Sequence, residues 1–219
     1  MTGRSERRTP SRSRFQASEY VTQPPGNTSL APGTEASIRA KKAGLSQGII
    51  NLHFHSKERL LVETLRYIAD EYRNTWKKAL AGAGDSPARQ LAALVMIDFR
   101  LPVCDRNKLA VWFAFWGESK SRPTYRQICA ERDRAYRKEL VQVCQALIDA
   151  GGYAGLDADT VAAGLSAMTS GLWLDMLTNP RSMSRQDGRQ ICMHFLATTF
   201  PRHFTPGGVI ETTRESRKS

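Results

Sequence analysis

The chain has 219 residues, 32 of them Lys or Arg against 21 Asp or Glu, for a net charge of +11. With 41% hydrophobic residues it is long and apolar enough for a real core. The longest apolar run, Leu109 to Gly117, is far too short to span a bilayer, and no apolar stretch follows the polar, Arg-rich N-terminus as a signal peptide would require. The four cysteines, Cys104, Cys129, Cys144 and Cys192, form no C-x-x-C pair, which argues against zinc and for reduced thiols in a cytoplasmic protein. The excess positive charge points to an anionic partner, nucleic acid first, although charge alone does not choose between nucleic acid, membrane surface and acidic protein.

Residues 1–33 contribute +3 and hold four of the ten prolines, with no helical or strand period; they read as a disordered or aberrant basic arm. A short helix is expected over Glu35–Ala43, ended by Gly44, and a second over Gln47–Leu52, capped by Ser46. Ser56 caps a longer helix that carries Leu60, Leu61, Thr64, Leu65, Ile68 and Tyr72 at helical spacing to about Leu80. Residues 34–80 thus read as a helix-turn-helix domain with a connecting helix. Gly82, Gly84 and Pro87 break the chain, and Leu91, Leu94, Val95 and Phe99 mark the next helix. Helices over Asn107–Ser119, Pro123–Ala150, Ala158–Leu177 and Ser184–Thr199 complete a second domain, 81–204, and make eight in all. Strand alternation and hairpin turns are absent, the cysteines read as small core residues within helices, and the tail from Thr205 reads as flexible. The fold class expected is all-α.

Two stretches carry chemistry. In the first, Gln47 and Asn51 lie four residues apart and point away from Ile50 and Phe54; Gln and Asn can bond an adenine edge in the major groove. Gly48 permits close backbone approach, and Ser46 with the free amides of its helix can hold a phosphate. Lys41, Lys42 and Lys57, with Arg39, face Glu35 alone across residues 34–57. The same spacing also suits an ordinary helical hairpin with a solvated basic face. In the second stretch, Trp112, Phe115 and Trp116 share a helical face, with Tyr125 and Trp173 as further aromatic candidates. A quaternary ammonium offers no hydrogen-bond donor, so aromatic faces are how a protein holds it. Asp98 lies in the apolar stripe Leu91, Leu94, Val95, and Asp175 is a second acid that could balance a cation. Packed core aromatics, with Asp98 bonded to Arg100, Arg106 or a backbone amide, would give the same pattern.

The run Ala43-Gly44-Leu45-Ser46-x-Gly48-x-Ile50-x-x-His53-Phe54-x-Ser56-Lys57-Glu58-x-Leu60 resembles the helix-turn-helix of the TetR family of bacterial repressors. The aromatic helix Leu109 to Trp116, Tyr125-Arg126 and Gly171-Leu172-Trp173-Leu174 are similar to the BetI-type branch of that family, which represses genes for oxidising choline to glycine betaine. The resemblance covers about 35–204. It implies an all-α homodimer joined through its last two long helices, with Lys41, Lys42, Ser46, Gln47, Gly48, Ile50, Asn51, His53, Phe54 and Lys57 at double-stranded operator DNA. It also implies an inducer, choline among the candidates, at Asp98, Trp112, Phe115, Trp116, Tyr125, Trp173 and Asp175. A bound ligand would alter the separation of recognition helices that must sit roughly 34 Å apart. No cofactor, metal or membrane partner is implied. Catalytic motifs are absent and the four histidines make no metal-ligand spacing, so an enzyme is not expected.

The chain departs from the family at its start. No counterpart of the family's first helix occurs at about 12–30, where Pro24-Pro25 forbids helix continuation. The family pattern Thr-x-x-x-Ile-Ala-x-x-Ala-Gly is interrupted by Arg39, between Ile38 and Ala40. One extra residue rotates Thr34 and Ile38 by about 100° from the face of Ala40 and Ala43. Either this helix diverged into a basic arm or the upstream reading frame is shifted, and the abrupt start of the match at Ala40 favours the second account. As written, the head predicts weak specific DNA binding. Two other readings stay open: a ligand-binding dimer with an impaired head, and a TetR-type regulator of another pathway.

Overall fold

A computed structural model of the chain describes residues 56–211. Lys41, Lys42, Ser46, Gln47, Gly48, Ile50, Asn51, His53 and Phe54, with the two short helices expected around them, lie outside the described residues. The chain divides into two compact units, Met1–Ile68 and Ala69–Ser219.

Six helices occur among the described residues: α1 (Lys57–Gly82), α2 (Pro87–Ile97), α3 (Arg106–Glu118), α4 (Pro123–Gly151), α5 (Ala158–Thr178) and α6 (Arg185–Thr199). Local chemistry starts each one. The Ser56 hydroxyl accepts the Arg59 amide at 3.1 Å, which leaves Lys57 as the exposed first residue of α1. Asp105 caps α3 by accepting the amides of Asn107 (2.9 Å) and Lys108 (3.2 Å). Asp157 caps α5 through the Thr160 amide at 2.8 Å. Ser184 is the cap of α6, not its first turn: its hydroxyl accepts the Asp187 amide while the Asp187 carboxylate accepts the Ser184 amide. Pro87 and Pro123 occupy first-turn positions of α2 and α4, where a missing N–H costs nothing. Gly152 ends α4 at φ 58°, a left-handed cap that a β-carbon would strain.

In the second unit, α4 packs along α5 and α2, α5 against α3 and α6, and α6 against α2. Leu91, Leu94, Leu109, Leu140, Leu147, Leu165, Cys192 and Leu196 form the centre of the core, all buried. Tyr72 and Trp76, from the C-terminal half of α1, join the same core. Gly188 lets α6 approach the end of α2, since a β-carbon there would stand 2.6 Å from the Phe99 ring.

The structure corrects three expectations. Strands are not wholly absent: β1 (Phe204–Thr205) pairs antiparallel with β2 (Gly208–Val209) across Pro206-Gly207. Residues 204–209 are therefore held, with Phe204 buried and the Ile210 amide donating to the His203 carbonyl at 2.8 Å, whereas a loose tail was expected from Thr205. Pairing so short produces no alternation in the sequence, which is why it escapes a periodicity reading. Cys104 lies in the turn before α3 rather than in a helix, although all four thiols are buried as expected. Burial pushes Cys104 and Cys129 up to about 11 and Cys144 and Cys192 up to about 12, so all four are inert core residues. Among the described residues, no helix is long and apolar enough to cross a membrane.

Candidate ligand site

Asp98 stands at the C-terminal cap of α2, at the end of its buried stripe, and is only 1% exposed. Its partners are neither Arg100, Arg106 nor a backbone amide. Tyr72 of α1 donates its hydroxyl to one carboxylate oxygen at 2.8 Å, and Tyr136 of α4 donates to the other at 3.3 Å and to the Leu94 carbonyl at 3.1 Å. Trp173 of α5 donates its indole N–H to the Asp98 carbonyl at 2.8 Å. Elements distant in sequence therefore converge on one acid.

Burial pushes the Asp98 carboxyl up to about 7, even though the two tyrosine hydrogen bonds and the Arg132 charge favour its ionised form. Burial, and then the Asp98 charge, hold the Tyr72 and Tyr136 hydroxyls well above their ordinary value, so both remain proton donors at any working pH.

Beside this acid the aromatic rings surround a cation from the chain itself. The Arg132 guanidinium carbon lies 4.3 Å from the Trp112 ring centroid, 5.2 Å from Tyr72 and 5.3 Å from Trp116. Each such contact is worth roughly 0.5–2 kcal/mol, the more so out of water. The Arg132 side chain is 9% exposed; Nε donates to Asp133 at 2.7 Å, Nη2 pairs with the same carboxylate, and Nη1 is buried with no hydrogen-bond partner among the described residues. A cavity of about 240 Å³ opens here, lined among others by Tyr72, Asp98, Trp116, Arg132, Thr169, Ser170 and Trp173.

The residues anticipated from sequence divide in two. Asp98, Trp116 and Trp173 line the cavity, and Trp112 stacks against the Arg132 face. Phe115, Tyr125 and Asp175 stand outside the lining. Phe115 packs edge-on to Tyr125, with ring centroids 4.8 Å apart. Asp175 accepts the Asn179 side-chain amide at 2.6 Å near the end of α5. Trp112 and Trp116 lie side by side at 6.4 Å, whereas Phe115, three residues from Trp112, turns toward α4. The site residues that sequence reasoning missed are Tyr72, Arg132 and Tyr136. By its spacing Tyr72 reads as part of the core stripe of α1. Arg132 and Tyr136 do sit four apart on one face of α4, but an Arg in a long charged helix looks like a solvated residue.

The helical architecture matches solved TetR-type regulators. A TetR-family regulator from Rhodococcus sp. superposes with a TM-score of 0.67 at 21% identity, over 86% of this chain and 97% of that one. A protein of Saccharomonospora viridis assigned as a transcriptional regulator and solved in complex with choline superposes with a TM-score of 0.68 at 25% identity, covering 84% of this chain and 95% of that one. The family model of the BetI-type transcriptional repressor C-terminal domain matches residues 87–201. The HTH-type transcriptional regulator BetI of Stenotrophomonas maltophilia is 34% identical over 145 residues, 66% of this chain and 71% of that protein. BetI 1 of Chromohalobacter salexigens is 28% identical over 173 residues, 79% of this chain and 83% of that protein. The chain belongs to the BetI-type branch of the TetR family of transcriptional regulators.

Proposed function

We propose that this protein is a homodimeric repressor of genes for converting choline to glycine betaine, released from operator DNA when a small organic cation such as choline enters the cage of Trp112, Trp116 and Tyr72 beside Asp98. One observation carries the reading: three aromatic rings already surround a positive charge next to a buried carboxylate. A donor-free ammonium needs that chemistry, with ring faces for its methyl groups and an acid to balance its charge. The choline found in the Saccharomonospora viridis relative supports the ligand class, and the BetI name of the curated relatives supports the target genes. Leu174 on α5 (46% exposed) and Ile191 on α6 (39% exposed) support a dimer built on these two helices.

Titration calorimetry with choline chloride tests the site. Ser170 lines the cavity from α5 and is half-buried, so Ser170→Trp fills the space while leaving the core residues in place. Wild type is expected to bind choline and to leave operator duplex as choline is added, and the Trp variant to lose choline binding with its melting temperature unchanged. Choline binding of equal strength in the Trp variant would place the ligand elsewhere.

A further inference from the structure

We infer that Arg132 is the resident cation of the aromatic cage and that a cationic ligand enters by exchange with it, which makes Arg132 a determinant of both affinity and ligand charge. The inference rests on the cage being the sensor's cation site. The guanidinium lies within 4.3–5.3 Å of three ring centroids, where a ligand's ammonium would have to be. The guanidinium and a ligand's ammonium cannot occupy the same space between the rings, and of the two acids that line the cavity Asp133 is already paired with Arg132.

The way Arg132 is held suits release. A guanidinium built permanently into a core spends its N–H groups on acceptors, yet here Nη1 is buried with none. Among the described residues its ion-pair partner is Asp133, which is 51% exposed. Swinging outward, Arg132 can keep that carboxylate and regain water on Nη1; what it gives up are the ring contacts and its closeness to Asp98, both of which an incoming cation restores. A tetraalkylammonium has no N–H to satisfy, so it takes over those contacts and leaves no polar group stranded. Exchange also conserves charge: one positive group beside Asp98 before, one after. An anionic or neutral ligand would leave the guanidinium in place and meet a filled cage.

A self-filled site binds more weakly than its intrinsic affinity, by the fraction of time it is empty. If Arg132 occupies the cage about 90–99% of the time, removing it tightens cation binding about 10- to 100-fold. Calorimetry with tetramethylammonium chloride and with choline chloride on the full chain tests this, comparing wild type with Arg132→Gln and Arg132→Ala and checking the fold of each by thermal melting. The Gln variant keeps length and polarity without the charge, so the result does not depend on the Ala variant alone. Both variants are expected to bind both probes at least about tenfold tighter than wild type. Guanidinium ion at low millimolar concentration is expected to bind Arg132→Ala, shift its tryptophan fluorescence toward the wild-type spectrum, and leave wild type unaffected. Unchanged or weaker probe binding in both variants, with wild-type binding abolished by Ser170→Trp, would overturn the exchange and leave the cage as the ligand site. No binding of either probe to wild type or to either variant would overturn the cage reading and the exchange together.

Discussion

Asp98 lends itself to a quantitative test, because its geometry sets both the sign and the size of an effect. The carboxyl is 1% exposed and burial carries it from an ordinary value near 3.8 to about 7. Between pH 4 and 7 the folded chain therefore binds a proton that the unfolded chain has released, so stability falls as pH rises through this window. Each pH unit of that gap corresponds to 1.36 kcal/mol, so Asp98 costs the fold about 4 kcal/mol at pH 8 relative to pH 4. In Asp98→Asn this proton is removed from the balance. Tyr72 still finds an amide oxygen, and Tyr136 keeps the Leu94 carbonyl at 3.1 Å. The Arg132 charge is already among the causes of the value near 7, so it enters this balance once and adds no separate cost. Urea unfolding of wild type and variant every half unit from pH 4.5 to 8 reads the result as the stability difference, variant minus wild type. That difference is expected to climb by about 2–4 kcal/mol across the range, on the order of 5–15 °C in melting temperature for a chain of this size. A difference flat with pH, or one that moves against the variant as pH rises, would refute the account of Asp98 as a carboxyl held partly neutral by burial.

Two further outcomes follow from the surface and the head. Leu174 and Ile191 are exposed apolar residues on α5 and α6; changing both to Lys puts unpaired charges on each side of the proposed symmetric interface. Analytical ultracentrifugation is expected to show wild-type dimers and variant monomers at micromolar concentration, and a variant that stays dimeric would move the interface off these helices. Deleting Arg39 restores the adjacency of Ile38 and Ala40 and returns Thr34 and Ile38 to the face of Ala40 and Ala43. Burying one such Ile is worth about 1.5–3 kcal/mol, so fluorescence anisotropy on operator duplex should report at least about tenfold tighter specific binding. Equal affinity with and without Arg39 would show that the insertion does not disturb the head.

Helices were the most legible part of the chain, since each depends on neighbours in sequence. Ser56 announces a start because a side-chain oxygen satisfies an amide three residues on; Asp105, Asp157 and Ser184 do the same in the structure, and Gly152 stops α4 at φ 58°, which glycine takes without strain. Asp98 was legible as an anomaly for the same kind of reason: an acid at the end of the Leu91, Leu94, Val95 stripe must be buried or break the pattern. Spacing alone could not say what the acid meets. Its partners, Tyr72 and Tyr136, stand 26 and 38 residues away, and they are chosen by how α1, α2 and α4 cross. Spacing likewise put Trp112, Phe115 and Trp116 on one face, but a helix face is broad, and packing against α4 sent Phe115 to Tyr125 while keeping the two tryptophans on Arg132. Arg132 is the sharpest case. Nothing in its local sequence separates a solvated helix arginine from a guanidinium enclosed by three rings, since the difference lies in the tertiary crossing that removes water from around it. Local chemistry determined the elements and the family resemblance; the tertiary structure decided which charge sits in the cage, because desolvation is a property of the assembled core.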